Sequence, residues 1–482
     1  MTFFFRFAAY CKALKENVKR VVGDIRFWII LFFIIRLYGI TNPPLEIAHS
    51  WRQSLTNMIA RNFLEEDPNI LYPRIDMRGA GAGIIGSEFP LFNYIIFMFS
   101  KLFGVQHWYG RLINLFVSSF GIFFFHQLLK RFFGSRIALL SSLILLCSMW
   151  FSYSRKTMPD TFSVSLVIIG IYYAMQYLYE NGFLYLFLFF VFTSLGALCK
   201  IPAMYLVGVF AVVFADPSVP RSRKVYLSGM LIAIFSLVTA WYFYWVPHLV
   251  SAYNYPLYFP RSLAEGFKEL TVLWKETAEK FYFSSLRSYT AFLFFLGGIF
   301  FILKNRDIRL GIIVLILLVL FSGFMMKAGE VFSLHGYYII PFTPVMALCA
   351  GYALAQIKNT RWIVMAMFLI AVESVANQFY DFRIKGSETY KLNLEGIADK
   401  VSDKGTLIGI NGGDNPQQIY LTHRKGWTFS DERLQEEQFL DSLSEKGCKF
   451  IFINKVTLTN SADITGATVF EDNSFKVIRL KK

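Results

Sequence analysis

Long apolar segments recur along the chain, separated by short basic turns and by one polar interruption near the N-terminal end. Segments of this length and composition are typical of helices that cross a membrane. We predict eleven spans, at residues 27–40, 112–129, 137–151, 161–178, 183–198, 203–215, 226–246, 289–303, 310–326, 337–357 and 362–379. The pattern predicts a polytopic α-helical membrane protein.

One further apolar segment, residues 89–103, is shorter than the roughly 20 residues that a helix needs to cross a bilayer. If it crossed, every later basic turn would lie on the outer side, against the positive-inside rule. We therefore predict a helix that lies in the outer interface. This places the N-terminus in the cytoplasm and the C-terminal residues outside.

The polar interruption forms the first outer loop, at residues 41–104, and it is rich in acids, arginines and glycines. An amphipathic helix is predicted near its start, because Trp51, Met58 and Phe63 recur at helical intervals. Its other face carries Arg52, Asn57 and Arg61. For Arg61 alone, a solvated position with a snorkelling side chain is the favoured interpretation. A structureless loop of this length is uncommon unless it is functional.

Residues 380–482 have a different, mixed composition, with strand-like runs at 406–410, 450–454 and 475–480. Helix-like stretches at 393–401 and 433–444 lie between them, so a small external α/β domain is predicted. The segment around Asp414 and Asn415 can present backbone amides to an anion, but a turn that starts the next helix is the favoured interpretation.

Composition changes this picture little. The net charge of +15 falls mostly in turns between apolar runs, so it indicates membrane orientation and not nucleic-acid binding. The five cysteines are scattered and form neither a disulfide framework nor a metal spacing. Residues 1–26 are basic and amphipathic without a cleavage site, which predicts a cytoplasmic interfacial segment before a membrane domain at 27–379.

Three acids of the first outer loop are candidate catalytic bases: Glu46, Asp76 and Glu88. Charged residues beside a membrane are functional candidates by default. Glu88 opens the interfacial helix, where helix capping is the alternative. His49 is about equally a structural histidine and a ligand.

Several charges occupy predicted outer turns, where the positive-inside rule does not require them. Arg111 begins the second span, Arg155 and Asp160 lie near the outer end of the third, and Lys200 interrupts an apolar hairpin. A lysine between short, tightly joined spans is costly unless an anion meets it, although snorkelling to the interface is the alternative. A lipid-linked phosphate would suit this group of cations.

A series of short motifs occurs in a fixed order over residues 43–353: IARNF, YPRID, EFPL, FG followed by Arg111-Leu112, SRKTMPD, LCKIP and HGYYIIPFTP. In this order the motifs resemble GT-C superfamily glycosyltransferases of the family 39 type, related to protein O-mannosyltransferases and lipid A aminoarabinose transferases. SRKTMPD is similar to their SR-x-x-LLD, and LCKIP to their LTKG. The positions that carry acids in the first amphipathic helix of relatives hold Arg52, Gln53 and Leu55 here, so the base must come from elsewhere.

The resemblance implies transfer of a sugar from a polyprenyl-phosphate donor to a glycan, lipid or protein acceptor at the outer face of a bacterial inner membrane. Glu46 is the first candidate base, with Asp76 and Glu88 behind it. The residues that the resemblance implies for substrate binding are His49, Arg52, Arg111, Arg155, Asp160, Lys200, His335 and Tyr337. Relatives sometimes use a divalent cation, which His49 or Glu88 could help to bind.

Two other functions remain open from the sequence. A lipid or solute transporter, such as a flippase, would also need cations within the membrane, but we find neither repeated halves nor mid-span acids apart from Glu373. A catalytically inert binding component is the third possibility, because the acid of the amphipathic helix is missing.

Overall fold

The computed structural model describes residues 20–256, 260–458 and 466–480. Most of the basic segment predicted at 1–26 therefore lies outside the described residues. The described α-helices, in chain order, are α1 (Ile25–Arg36), α2 (Ser50–Glu65), α3 (Leu91–Phe103), α4 (Tyr109–Cys147), α5 (Trp150–Tyr153), α6 (Pro159–Glu180), α7 (Phe183–Cys199), α8 (Phe210–Ala215), α9 (Arg221–Thr239), α10 (Val246–Tyr253), α11 (Leu263–Val272), α12 (Trp274–Glu279), α13 (Tyr289–Lys304), α14 (Ile308–Ala328), α15 (Glu330–Leu334), α16 (Thr343–Ala355), α17 (Thr360–Phe379), α18 (Leu394–Val401), α19 (Gln417–Thr422) and α20 (Glu437–Glu445).

Shorter helical turns connect several of these helices. The 3₁₀ segments are Ile201–Val209, Gly336–Phe342, Tyr380–Phe382, Gly386–Asn393 and Asp431–Gln435, and the π segments are Ala240–Trp245 and Lys280–Ser284.

All eleven predicted apolar runs are helical. Six helical segments of the described residues are long and apolar enough to cross a membrane, or seven if the bent pair Trp274–Ser284 and Tyr289–Lys304 forms one span. Fewer segments than predicted meet this test, because α1, α7, α13 and the segment Ile201–Ala215 have fewer than 18 residues.

Two predicted spans, 112–129 and 137–151, fall largely within the single element α4. This helix is interrupted at Gly134, whose backbone has φ 82° and ψ 165°. Glycine reaches such a conformation without the steric penalty of a side chain, so the chain can reverse there. The predicted turn between the two spans is therefore present at Gly134.

The described residues divide into two compact units. The helical unit contains residues 20–40, 111–241 and 260–380. The mixed unit contains residues 41–110, 242–256, 381–458 and 466–480. The first outer loop and the C-terminal domain, which are far apart in sequence, thus belong to one unit.

Helices α6 and α7 of the helical unit pack closely because small residues face each other. A Cβ atom on Gly170 would lie 2.1 Å from Thr193 Oγ1, and one on Gly196 would lie 2.8 Å from Ser163 O. Any larger residue would push the helices apart. The close packing brings the end of α7 to the beginning of α6.

The mixed unit contains a five-stranded sheet, as the α/β prediction requires. Its strands are β1 (Ile408–Asn411), β2 (Gly426–Phe429), β3 (Phe450–Asn454), β4 (Ala467–Glu471) and β5 (Phe475–Arg479). Their order is β2-β1-β3-β5-β4, with β1 parallel to both β2 and β3, and β5 antiparallel to both β3 and β4. The sequence patterns missed β2 and β4.

The core of the mixed unit joins segments from both ends of the chain. Leu55, Met58 and Phe63 of α2 share one buried cluster with Ile410 and Phe452 of the sheet. Burial of these apolar side chains stabilises the unit by roughly 1.5–3 kcal/mol each. The first outer loop is therefore built into a folded domain.

Helix α2 differs from the predicted surface helix. Asn57 is 5% exposed and Arg61 is 7% exposed, so the prediction of a solvated position for Arg61 is wrong. Both polar side chains have hydrogen-bonding partners within the mixed unit: Asn57 donates to His107 O and Arg61 to Tyr420 O. These bonds offset the cost of removing the side chains from water.

The segment that follows β1 starts a helix, as predicted. Asn415 Oδ1 accepts a hydrogen bond of 2.9 Å from Gln417 N, at the beginning of α19. This side chain satisfies one of the amide groups that a helix leaves unpaired at its N-terminus.

Candidate active site

An aspartate and a lysine meet in the helical unit where two helices end. Asp160 lies in the first turn of α6, and Lys200 directly follows α7. Lys200 Nζ lies 3.4 Å from Asp160 Oδ1, and Asp160 is only 4% exposed. A carboxylate this deeply buried is stable when a cation or hydrogen-bond donors accompany it. Lys200 supplies that charge.

Local structure fixes the position of Lys200. Ser163 Oγ lies 2.8 Å from Gly196 O and 3.2 Å from Lys200 O, and it joins α6 to the end of α7. Lys200 itself is extended, with φ −157° and ψ 102°, and Pro202 in the next 3₁₀ turn prevents α7 from continuing. The lysine therefore occupies a sharp corner of the chain.

Aromatic rings surround the Lys200 ammonium group. Its Nζ atom lies 5.6 Å from the centroid of Tyr337 and 5.7 Å from that of Tyr338, both within the range of a cation–π interaction. Both tyrosines belong to the 3₁₀ segment Gly336–Phe342. The rings stabilise the cation without accepting the linear N–H bonds that an oxygen would accept.

A small cavity lies beside this ion pair. The residues that line it are Asp160, Val164, Lys200, Pro202, Ala203, Phe324, Tyr337, Tyr338 and Pro341. Asp160 Oδ2 is buried and has no hydrogen-bond partner among the described residues, whereas Oδ1 faces Lys200. The cavity has a volume of about 10 Å³, which is room for about one water molecule. The pair thus offers the open carboxylate oxygen of Asp160 to a small polar group.

His335 lies next to the same aromatic rings. Its ring centroid is 5.5 Å from that of Tyr337, and its Nδ1 atom is 3.2 Å from Val331 O. Burial lowers the pKa of His335, and the positive charges of Lys280 and Lys200 lower it further. The imidazole is therefore neutral at pH 7 and can donate or accept a hydrogen bond.

The SRKTMPD loop before α6 is held by one buried amide. Asn114 Nδ2 lies within hydrogen-bonding distance of the carbonyl oxygens of Tyr153 (3.0 Å), Lys156 (2.9 Å) and Met158 (3.1 Å). Thr161 Oγ1 donates to Asn114 Oδ1 at 2.9 Å. These contacts fix the backbone that leads into Asp160.

Three buried arginines lie around the end of α1. Arg155 Nη2 donates to Gly39 O at 2.8 Å, and Arg111 Nη1 donates to Ile40 O at 3.2 Å. Arg36 donates to Phe32 O and to a serine of the SRKTMPD loop. Arg111 and Arg155 thus bond to backbone carbonyls, in addition to any contact that they make with a substrate.

In the mixed unit, Asp76 is engaged in a buried network. Its Oδ2 atom accepts from Arg61 Nη2 at 2.8 Å, and its Oδ1 atom accepts from Asn62 Nδ2 at 2.9 Å. The Arg61 guanidinium also stacks over the ring of Tyr420, 4.6 Å from its centroid. Burial raises the pKa of Tyr420 to about 12, so its hydroxyl stays protonated.

The other candidates of the first outer loop also lie in the mixed unit. Glu88 forms an ion pair with Arg52. Glu46 is fully buried, its backbone bridges to Ile384, and its Oε2 atom lies 3.4 Å from Gln53 Nε2. His49 precedes α2 in a left-handed conformation, with φ 59°.

The structure thus brings together four predicted residues of the helical unit: Asp160, Lys200, His335 and Tyr337. Within the mixed unit it pairs Arg52 with Glu88 and assigns Asp76 a different partner, Arg61. Of the described residues, no three His, Cys, Asp or Glu side chains are close enough to hold a metal ion.

Sequence reasoning missed Tyr338, Asn114 and the pairing of Arg61. Tyr338 follows Tyr337 inside the HGYYIIPFTP motif, and Asn114 lies one helical turn after Arg111, so both carried a weak signal. The partner of Arg61 had none, because Asp76 follows it by fifteen residues with no helical or strand register to connect them.

One protein family matches part of the chain. The dolichyl-phosphate-mannose-protein mannosyltransferase family matches residues 87–243, about a third of the sequence and a narrower region than the motifs suggested. The matched region contains five of the candidate residues: Glu88, Arg111, Arg155, Asp160 and Lys200. No curated protein matches the sequence.

Solved structures match nearly the whole chain. ArnT from Cupriavidus metallidurans bound to undecaprenyl phosphate is 12% identical, with 95% of this chain and 98% of that chain covered and a TM-score of 0.58. The apo form of the same protein gives 13% identity, 94% and 98% coverage, and a TM-score of 0.58.

An archaeal oligosaccharyltransferase, AglB from Archaeoglobus fulgidus in complex with an inhibitory peptide and a dolichol-phosphate, is also similar. It is 12% identical, with 89% of this chain and 69% of that chain covered and a TM-score of 0.54. The family match and the fold together support an enzyme, a membrane glycosyltransferase. The chain has the GT-C fold, and the resemblance to GT-C glycosyltransferases predicted from its sequence is confirmed.

Proposed function

We propose that this protein transfers a sugar from a polyprenyl-phosphate donor to a hydroxyl-bearing acceptor. The observation that carries the proposal is the Asp160–Lys200 pair beside its aromatic-walled cavity. Support comes from the lipid phosphates bound by two proteins of the same fold, undecaprenyl phosphate in ArnT and dolichol-phosphate in AglB.

Lys200 is the proposed ligand of the carrier phosphate. When the bond between the sugar and the phosphate oxygen breaks, negative charge develops on the polyprenyl phosphate. A fixed ammonium group in a site with little water stabilises that charge more strongly than water does. Asp160 holds the lysine in position, and its Oδ2 atom can accept a hydrogen bond from a sugar hydroxyl.

The proposed reaction is a direct displacement that inverts the configuration at the anomeric carbon of the sugar. The acceptor oxygen forms a bond to the anomeric carbon, the bond from that carbon to the phosphate oxygen breaks, and the electron pair leaves with the phosphate. A carboxylate takes the proton of the acceptor hydroxyl. Glu46, which is fully buried beside Gln53, is the favoured base, with Asp76 and Glu88 behind it.

Further parts of the proposal follow from the family resemblance. His335 and Tyr337 contact the donor near Lys200, and Arg111 and Arg155 add positive charge at the same end of the helical unit. His49 and Arg52 contact substrate in the mixed unit. The acceptor is a glycan, a lipid or a protein, and the protein resides in a bacterial inner membrane with its C-terminal domain in the periplasm.

The test incubates the purified full-length protein with radiolabelled polyprenyl-phosphate sugars and membrane extracts as a source of acceptor. Transfer or release of sugar with wild-type protein, and its loss in Glu46→Gln, support the proposal. Movement of the intact lipid across vesicle membranes without sugar release would instead identify a flippase. If neither sugar transfer nor lipid movement is detected, only a binding role remains.

Parallel reactions test the two choices within this scheme. Asp76→Asn is the matched control for Glu46→Gln, because both changes remove one buried carboxylate charge of the mixed unit. If Asp76→Asn abolishes transfer in the folded protein and Glu46→Gln does not, Asp76 is the base. Addition of EDTA, with and without Mn²⁺, tests for a divalent cation.

A further inference from the structure

A second and larger cavity lies within the helical unit. Its volume is about 440 Å³, and its walls are almost entirely apolar, with Phe125, Ile168, Met175, Val212 and Leu317 among them. This volume is within the roughly 300–1,000 Å³ that is typical of small-molecule sites. An apolar cavity of this size between membrane-spanning helices suits a hydrocarbon chain.

The charged end of the large cavity is far from the proposed reaction site. Along α6, Asp160 lies in the first turn, whereas Tyr179 in the last turn lines the large cavity. The nineteen steps from Asp160 to Tyr179 span about 28 Å at the helical rise of about 1.5 Å per residue. The apolar wall of the large cavity reaches Ile168, one turn from Val164 of the small cavity, so only its charged end lies at the opposite end of α6.

Charged residues occur at one end of the large cavity. Asp216, Asp307 and Arg309 all line it. Asp307 accepts a hydrogen bond from Leu310 N at 3.2 Å, and Asp216 accepts one from Ser218 N at 2.9 Å. Both acids are thus occupied as caps of the local backbone.

Arg309 differs from these acids. It is exposed, and no ion pair or hydrogen bond of its guanidinium is found within the part of the chain that the structure describes. The hydrogen bonds from Ser218 lower the pKa of Asp216, and the charge of Arg309 lowers it further. Lys304 and Arg306 precede it in the same turn. An available guanidinium at the open end of an apolar cavity matches a molecule with a phosphate group and a hydrocarbon tail.

We propose that this cavity binds an anionic phospholipid, with one acyl chain between the helices and the headgroup phosphate on Arg309. The binding site is separate from the carrier-phosphate site at Lys200, and it does not depend on the proposed transfer reaction. Each methylene group of the acyl chain that is buried in the cavity favours binding. The cation adds a preference for a net negative headgroup, because basic residues near a membrane surface attract anionic lipids.

Native mass spectrometry of the full-length protein in detergent tests this proposal, with phosphatidylglycerol and phosphatidylethanolamine as competing probes. Wild-type protein should retain phosphatidylglycerol in preference to phosphatidylethanolamine. Arg309→Gln should reduce that preference about fivefold, the effect of one cation near an anionic lipid. Arg309→Lys should keep most of it, and Lys304→Gln, which removes a neighbouring cation outside the cavity, should leave it unchanged.

A second variant blocks the cavity itself. Val212→Trp places a large ring among the lining residues and should reduce the binding of both phospholipids. Equal phosphatidylglycerol binding by wild type, Arg309→Gln and Val212→Trp would overturn the proposal. Displacement of phosphatidylglycerol by one equivalent of polyprenyl phosphate would also overturn it, because the cavity would then hold the tail of the carrier. Arg309→Gln lies at the surface, so the test stands even if Val212→Trp fails to fold.

Discussion

Two acid–base pairs among the described residues differ in how their carboxylate oxygens are bonded. In the helical unit, Lys200 lies 3.4 Å from one oxygen of Asp160, beside a cavity and two tyrosine rings. In the mixed unit, Arg61 lies 2.8 Å from Asp76, and both oxygens of that carboxylate accept hydrogen bonds. The first pair has an open carboxylate oxygen, whereas both carboxylate oxygens of the second are bonded.

This difference separates a candidate functional pair from a structural one. A carboxylate whose acceptor sites are filled by a guanidinium and an amide has little capacity left for a substrate proton. The ammonium group of Lys200 lies 3.4 Å from a carboxylate with an open oxygen and beside two aromatic rings, an arrangement that suits an anionic oxygen. Residue type alone does not distinguish the pairs, so we expect substitutions to do so.

The largest effect is expected on the stability of the mixed unit. Arg61→Met leaves Asp76 buried without its cation, which should lower the free energy of unfolding by about 3–5 kcal/mol. The double variant Arg61→Met/Asp76→Leu should recover much of that loss, because it buries no unpaired charge. Chemical unfolding followed by tryptophan fluorescence measures both. If the free energy of unfolding of Arg61→Met lies within about 1 kcal/mol of the wild-type value, a structural role for this pair is contradicted.

The next effect is expected on activity at the other pair. Asp160→Asn/Lys200→Met removes both charges together, so the variant should fold, but sugar transfer should fall about 100- to 1,000-fold through loss of charge stabilisation. Lys200→Arg is the control that retains the positive charge. The measurement is the ratio of the transfer rate of each variant to that of wild type at a saturating donor concentration. Transfer by the double variant close to the wild-type rate would remove Lys200 from the mechanism.

A smaller effect is expected from the aromatic rings. Tyr338→Leu removes one cation–π contact of about 0.5–1 kcal/mol, so the KM for the lipid-linked donor should rise about two- to fivefold. Tyr338→Phe retains the ring and should keep the wild-type KM. If the Phe variant is impaired as much as the Leu variant, the hydroxyl group, and not the ring, is what the site uses.

The smallest effect concerns an exposed network at the end of α2. His423 lies 2.9 Å from Glu65 and 2.8 Å from Glu395. Burial raises the pKa of both glutamates, but for Glu65 the bond from His423, and for Glu395 the bonds from Lys404 and His423, outweigh it, so both pKa values fall below the ordinary 4.5.

The sign of the pH dependence follows from those shifts. The stabilisation is present above pH 4.5 and is lost as the pH falls through the lowered pKa values, when the carboxylates become protonated. For such partly exposed pairs the loss should be at most about 1 kcal/mol. Unfolding of wild type and His423→Ala, measured at pH 6 and at acidic pH, checks this. If His423→Ala loses as much stability at acidic pH as wild type does, this role of His423 is contradicted.

Much of the fold follows from the order of apolar and polar residues. Every predicted apolar run is helical, and three of the five strands were predicted, because these features depend on neighbours in sequence. The composition of the mixed unit was not predictable in this way, since packing of Leu55 and Met58 against Ile410 joins residues far apart in the chain. Tertiary contacts of this kind leave no periodic signal.

The candidate site shows the same division. The motifs around Asp160, Lys200 and Tyr337 identified residues that lie together in the helical unit. Among the acids of the first loop, the sequence ranked Glu46 before Asp76 and Glu88, but it gave no sign that Asp76 pairs with Arg61. That ion pair depends on how the loop folds back on α2.

The central claim is that Lys200 binds the phosphate of the lipid carrier. The most direct measurement is the Kd of a short-chain polyprenyl phosphate for purified wild-type protein, Asp160→Asn/Lys200→Met and Arg61→Met/Asp76→Leu. We expect the first double variant to bind at least about tenfold more weakly, the loss of roughly 1.4 kcal/mol, and the second to bind like wild type. Equal affinity in all three proteins, or weakening only when the Arg61 pair is changed, would contradict the account.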